Sequence, residues 1–295
     1  MRPGRFRHFV GIDWSGAVGE RHRGIAVAQA FAEGGPPRPV AESRRWSRGE
    51  VLSFLATRVT DSTLVGLDLG ISLPFIDCNA FFPGCDASPP DAKALWALVD
   101  TICKGDEHLA ATAFADHPNF AAYFRRHGGR EGARFRCDAA THGRGRFRVT
   151  ELKQAELGCK PYSNFNLVGA AQVGKASLTG MRVLHALGGA VPVWPIDPLP
   201  PQGPVIVEIY TALAAIAAGR KASASKVRTL DELNRALAML DSAPVSGRGV
   251  IDDHSADALL AAAWLRANAH RPELWQPRGL TDRIARIEGW TFGAA

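Results

Sequence analysis

Apolar positions along this chain fall into short continuous runs and longer stretches that recur at helical spacing. HFVGID is a strand that ends on Asp13. RGIAVAQAF, across a turn region from Gly16 to Gly24, is a second strand expected to pair with it as a hairpin. PVAESRRW alternates well enough for a third. Ser47 and Glu50 form a capping box ahead of VLSFLATRV, whose apolar residues keep helical spacing. TLVGLDLG is the kind of apolar run found in a strand covered on both faces, and Ser62 and Pro74 bound it.

The strand character is then lost. Ser88 and Pro89 start a helix through DAKALWALVDTIC, another is expected through NFAAYFRRH, and a segment rich in arginine and glycine follows. A long apolar helix over 166–187 contains Gly169, Gly174 and Gly180, small enough for it to lie close against another element. VPVWPI has the makings of a short strand, PVIVEIY is a strand, and TALAAIAAG is a short helix. Thr229 and Glu232 cap LDELNRALAML, and SADALLAAAWLRANA forms the last long helix. The expected organisation is an α/β core in two parts, 1–74 and 166–295, divided by a basic, mainly helical or looped insertion over 75–165.

Four acids interrupt these apolar stretches. Asp13, Asp68 and Glu208 each end a similar buried run, and Asp257 lies in the last helix. A buried carboxylate without a partner costs several kcal/mol or more, so several in one fold need either cations or a strong reason to be neutral, a cation being the simpler answer. For Glu208, at a strand end, the other reading is a partner for an arginine. If the three strands are parallel neighbours, equal offsets put their acids on one face near the carboxyl ends, where open sheets place ligands. His254 and Asp253 lie three and four residues before Asp257 and share its helix face. Asp253 reads better as a helix cap than as a ligand, Asp252 is left out of the site, and His254 is either a ligand or base or a polar first-turn residue. Hard oxygen ligands suit Mg²⁺ or Mn²⁺.

Composition narrows the function classes. The chain has 295 residues with 46% hydrophobic content, which excludes a disordered or collagen-like protein. No apolar run is long enough for a membrane span, and the basic amino end runs into GIDWSG without a signal-like region, so a cytoplasmic protein is expected. The five cysteines are scattered without a C-x-x-C pair and read as reduced thiols. A zinc site from Cys78, Cys85 and His142 matches no common spacing. The net charge of +6 suits a polyanion. Arginines crowd residues 125–148 with Tyr123, Phe124, Phe135 and Phe147 among them. That segment is either a nucleic-acid grip, with Arg144, Arg146 and Arg148 on phosphates, or a solvated loop.

The order of strands, helices and acids in GIDWSG, GLDLGISLP, VEIY and HSADAL resembles the ribonuclease-H-like fold. Together with NLVGAAQVGKASLTGMRVL, VWPID and EGWTFG, it makes the chain similar, over residues 10–293, to the domain-of-unknown-function family 429, whose members are predicted nucleases. The insertion matches least. The resemblance implies a mixed sheet of strand order 3-2-1-4-5, with the second strand antiparallel and helices flanking it. It implies metal-carboxylate positions at Asp13, Asp68 and Asp257, with His254 at a position relatives fill with histidine or aspartate. Thr211 stands where the family pattern after VEIY tends to proline.

The expectation is a metal-dependent phosphodiester hydrolase, a nuclease, in which Asp13, Asp68 and Asp257 hold Mg²⁺ or Mn²⁺, Glu208 assists as a further ligand, and His254 handles protons or tunes the site. The alternatives are a non-catalytic nucleic-acid or nucleotide binder and a hydrolase of a small phosphate ester. Gly169 to Ala176 nearly spells a P-loop but has Ala176 where a hydroxyl must reach Mg²⁺. A sugar-kinase architecture would need a second GxDxxxG-like start.

Overall fold

The computed structural model describes residues 4–41, 45–59, 62–137, 144–169, 172–220 and 226–295. Their centre is a six-stranded mixed sheet in which the strands at 38–39, 26–31, 8–13, 63–68, 205–208 and 193–194 lie side by side in that order. β1 (His8–Asp13) pairs antiparallel with β3 (Ala26–Phe31) and parallel with β6 (Thr63–Asp68). β8 (Val205–Glu208) runs parallel to β6, and β7 (Val193–Trp194) closes that edge. The sheet therefore differs from the expected five-strand order by an extra outer strand, formed at VPVWPI.

The expected third strand divides in two. Arg38–Pro39 forms β4 on the edge of the sheet, a place that tolerates a residue without an amide N–H. Trp46–Ser47 (β5) instead pairs with Arg21–His22 (β2) in a separate two-stranded ribbon.

Each face of the sheet has its own apolar core. Val10, Ile12, Val65, Leu67 and Ile206 pack with α1 (Arg48–Thr57), α2 (Ala92–Ile102) and α5 (Val173–Ala186). Phe9, Leu64, Val205 and Val207 pack with α6 (Thr211–Ala217), α7 (Leu230–Ala238) and α8 (Asp253–Asn268). This alternation is the period of two expected of strands buried on both sides. Aromatic residues of 75–165, among them Phe82, Trp96, Phe114 and Phe120, join the first core and bring α3 (Thr112–Asp116) with them. α4 (Val149–Glu156) leads back towards the sheet, and α9 (Pro272–Trp275) and α10 (Asp282–Ile287) close the chain.

Local chemistry sets several element ends. Ser47 and Glu50 make the reciprocal capping box on α1, and Thr229 accepts the Glu232 amide at the start of α7. The stretch NFAAYFRRH gives only a single 3-10 turn at Ala121–Tyr123. Phe120, Tyr123 and Phe124 all turn inward there, and the Arg125 carbonyl and amide bond to Leu167 and Phe165 instead of continuing a helix. α5 begins at Val173, later than expected, because Asn166 bridges Arg125 and Gly169 adopts φ +86°. Among the described residues no helix is long and apolar enough to cross a membrane.

Candidate active site

Asp13 and Asp68 are direct register partners at the carboxyl ends of parallel β1 and β6. Strand parity sends both side chains to the α8 side, since Phe9 and Leu64 face that way, each four residues earlier. α8 lies almost on the backbone of β1. A Cβ on Gly11 would sit 2.5 Å from the Ala258 carbonyl oxygen, so only glycine permits this approach, and the alanines of α8 complete it. The first turn of α8 is thereby held over Asp13. His254 Nδ1 lies 2.6 Å from Asp13 Oδ2.

Lys226 reaches the same turn, 3.1 Å from Asp253 and 3.3 Å from Asp257. Thr211, at the start of α6, donates its hydroxyl to Asp68 Oδ2 at 3.0 Å. The cap of α8 is Asp252, which accepts the Ser255 amide at 2.9 Å, so the expected capping role of Asp253 passes to its neighbour. On the other side of the acids, the Arg48 guanidinium bonds the carbonyls of Ser15 and Ala17 and fixes the loop leaving Asp13. Gly16 allows that loop to meet the Lys175 backbone, which a Cβ would approach to 2.3 Å.

The electrostatics are those of crowded acids. Burial raises Asp13, against the pull of the His254 bond. Asp68 is raised well above the usual range by burial and then by Asp13 and Asp257. Asp257 is pushed up to about 6 by burial and Asp13, with Lys226 opposing. The bond to Asp13 raises His254. Asp13 and Asp68 meet a cleft of about 420 Å³ whose wall also includes His254, Lys226 and Tyr162 and, from the other face of the sheet, Arg148, Glu151 and Glu208. Among the described residues, the group of three ligand atoms within 4.8 Å of one another is Asp77, Cys78 and Cys137, not these acids.

Glu208 does not join Asp13 and Asp68. Its register partner is Leu67, one residue before Asp68, and a one-residue offset in a strand reverses the face. On that opposite face Glu208 accepts bonds from Arg148 at 2.6 and 2.8 Å, the Ile71 amide at 2.9 Å and the Thr291 hydroxyl at 2.6 Å. With both oxygens occupied, it is a partner for arginine and not a metal ligand.

Two of the expected nucleic-acid contacts are also corrected. Arg146 and Arg148 are each 1% exposed. Arg146 is held by Asp77 at 2.6 and 2.8 Å and by the Pro74, Ala80 and Phe81 carbonyls. Arg148 joins Glu151 to Glu208. Neither is available to a polyanion. Arg144 is exposed, with its guanidinium over the Tyr162 ring at the cleft. The proposed zinc set is not assembled as spaced: Cys78 meets Cys137, and His142 lies outside the described residues.

Thr211, Lys226 and Arg48 were not singled out from sequence as members or supports of the site. Thr211 had one visible signal, its position directly after VEIY. Lys226 lies in a polar stretch with no periodic pattern to place it. No protein-family model, curated protein or solved structure matches this chain.

Proposed function

We propose that this chain is a divalent-metal-dependent phosphodiester hydrolase with Asp13, Asp68 and Asp257 as the metal-holding carboxylates. The observation that carries this reading is the register pairing of Asp13 with Asp68 beneath the first turn of α8, with Asp257 close enough to raise Asp68 further. The half-exposed Lys226 is a weak counter-charge for three such acids. Hard carboxylate oxygens beside a cleft fit Mg²⁺ or Mn²⁺ by chemistry and charge. Bound there, the ion would supply a nucleophilic water at neutral pH and charge stabilisation on a phosphoryl oxygen.

The protein's own groups divide the remaining work. Asp13 orients the His254 ring through Nδ1, leaving Nε2 as the nitrogen able to exchange a proton with the cleft. Thr211 fixes the Asp68 carboxylate. Lys226, on the cleft wall, would be released to meet a phosphate oxygen if Asp257 held the ion.

Nucleic acid is the proposed substrate, supported by the net charge of +6 and by Arg144 stacked on Tyr162 at the cleft. A small phosphate ester is the second reading, favoured by the burial of Arg146 and Arg148, which removes two phosphate-gripping side chains. One panel separates them: DNA, RNA, hybrid, branched and small aryl phosphodiester substrates with Mn²⁺ or Mg²⁺, using wild type and Asp13→Asn. Cleavage lost in the variant is the expected result. Equal cleavage by both proteins, or no cleavage together with no metal binding by calorimetry, would sink the proposal.

A further inference from the structure

Outside the residues that line the carboxylate cleft, the turn at 75–78 carries Cys78, and the described part of the arginine-rich segment stops at Cys137. Their sulfurs lie 2.8 Å apart, although the residues are 59 positions apart. Both are partly exposed, whereas Cys103 and Cys159 are buried. The two backbones are also held in place. The Phe75 and Ile76 amides bond Glu288 at 2.6 and 2.7 Å, and the Cys78 amide bonds the Phe75 carbonyl, which fixes one side. On the other, the Glu131–Arg136 ion pair at 2.6 Å immediately precedes Cys137.

Asp77 completes a set of possible metal ligands, but two features argue against an ion. Both Asp77 oxygens are held by Arg146, so a dication would lie beside a buried guanidinium. Two thiolates on one tetrahedral zinc would stand about 3.7 Å apart, given Zn–S bonds of about 2.3 Å. The observed sulfurs are nearer than that.

We propose that Cys78 and Cys137 are a covalent modification site, an intramolecular disulfide formed reversibly with a small disulfide such as oxidised glutathione. The Cys137 thiolate attacks one glutathione sulfur, forms a mixed disulfide and releases one glutathione thiolate. The Cys78 thiolate then attacks the Cys137 sulfur and expels the second. One sulfur–sulfur bond forms in the protein as one breaks in the oxidant. The dithiol loses two electrons, and its two protons end on the two glutathione thiols. Burial pushes the Cys78 thiol up to about 12, so Cys78 acts in the second, intramolecular step, where the Cys137 sulfur already lies 2.8 Å away. The product ties the turn at 75–78 to the segment that leads into Arg144, Arg146 and Arg148.

The test treats the whole reduced protein with defined ratios of reduced and oxidised glutathione, followed by intact mass, thiol titration and peptide mapping without reduction. The expected product has lost two hydrogens, has two fewer titratable thiols than the five cysteines supply, and yields a peptide pair joined through Cys78 and Cys137. It should melt roughly 5 °C higher than the reduced form, because a long loop is closed. Cys85→Ser should behave like wild type, and Cys137→Ser should stop at a mixed disulfide or remain reduced. A cross-link between other cysteines, no cross-link at any ratio, or stoichiometric Zn²⁺ bound by the reduced protein and blocking oxidation would each overturn the proposal. None of these readouts uses the carboxylate site.

Discussion

Two groups of buried charge lie at the same end of the sheet, on its opposite faces. On one, Arg148 joins Glu151 and Glu208, with Glu288 alongside; on the other, Asp13, Asp68 and Asp257 gather with His254 and Lys226. Both are rich in carboxylates and both border the same cleft, but only the first is fully paired. There every carboxylate oxygen meets a donor: Arg148 and its own amide on Glu151; Arg148, Ile71 and Thr291 on Glu208; and the Phe75, Ile76 and Val149 amides on Glu288. Burial alone would lower the Arg148 guanidinium, yet Glu151 and Glu208 hold it above its ordinary value. The donors on the second face are the Trp14 and Thr211 amides, the Thr211 hydroxyl, an imidazole and a half-exposed ammonium, and the acids still raise one another. Burial of an acid is thus a poor marker of a site; incomplete satisfaction beside a cleft is a better one.

The strongest way to break this comparison is to remove one group from each side. Arg148→Met leaves the buried Glu151 and Glu208 short of their cation and should cost about 3–5 kcal/mol in denaturant unfolding, or prevent soluble expression. Asp68→Asn, measured without divalent ions, should raise stability by about 1–2 kcal/mol through relief of like charge. Comparable destabilisation by both variants would mean that the acids on the α8 face are as structurally satisfied as those around Arg148.

The sequence made the α8 side legible because its signals are local. Asp13 and Asp68 each end an apolar run, and the alanine-rich helix carries His254 and Asp257 near its start. Glu208 ends a similar run and was grouped with them, but its face depends on strand register, which no local pattern encodes. Arg146 and Arg148 misled for the same reason: in a basic, glycine-rich stretch they look solvated, and only long-range partners such as Asp77 and Glu208 bury them. Capping residues at α1 and α7 were readable because a cap and its amide lie within one turn. The division of the third strand was not, since the pairing of Trp46–Ser47 with Arg21–His22 is set by tertiary packing.

Acidity gives a finer contrast. Asp257 titrates near 6 in the folded protein, above its value in an unfolded chain. Between those values the folded state binds more protons, so the associated stability is full below about pH 4 and is lost as pH rises through about 6. The loss is worth roughly 3 kcal/mol for this group. His254, also raised, acts in the same direction. Glu151 is raised to about 7 by burial against the pull of Arg148 and adds a similar slope from the other face. The informative measurement is therefore a difference: denaturation of wild type minus Asp257→Asn, from pH 4 to 8 with chelator present. It should decline across pH 4–6 and then level off. A flat difference would remove Asp257 from the acid set. With Mn²⁺ added, affinity should strengthen over the same window, as a ligand carboxylate must lose its proton to bind.

Lys226 sharpens the comparison at its smallest scale. Its ammonium is half exposed and lies against Asp253 and Asp257, so solvent screening limits what the pairs contribute. Lys226→Met should lower metal-free stability by about 1 kcal/mol or less. If the lysine shares its carboxylate with an incoming ion, the same substitution should tighten Mn²⁺ binding by roughly fivefold, the equivalent of about 1 kcal/mol. Calorimetry then separates two roles. Tighter metal binding with a raised KM would assign Lys226 to the substrate phosphate once the metal has taken Asp257. Tighter binding with an unchanged KM would leave it only as a built-in counter-ion. Unchanged metal affinity would mean that the ion does not compete for Asp257, and Asp13 and Asp68 would have to hold it without the helix.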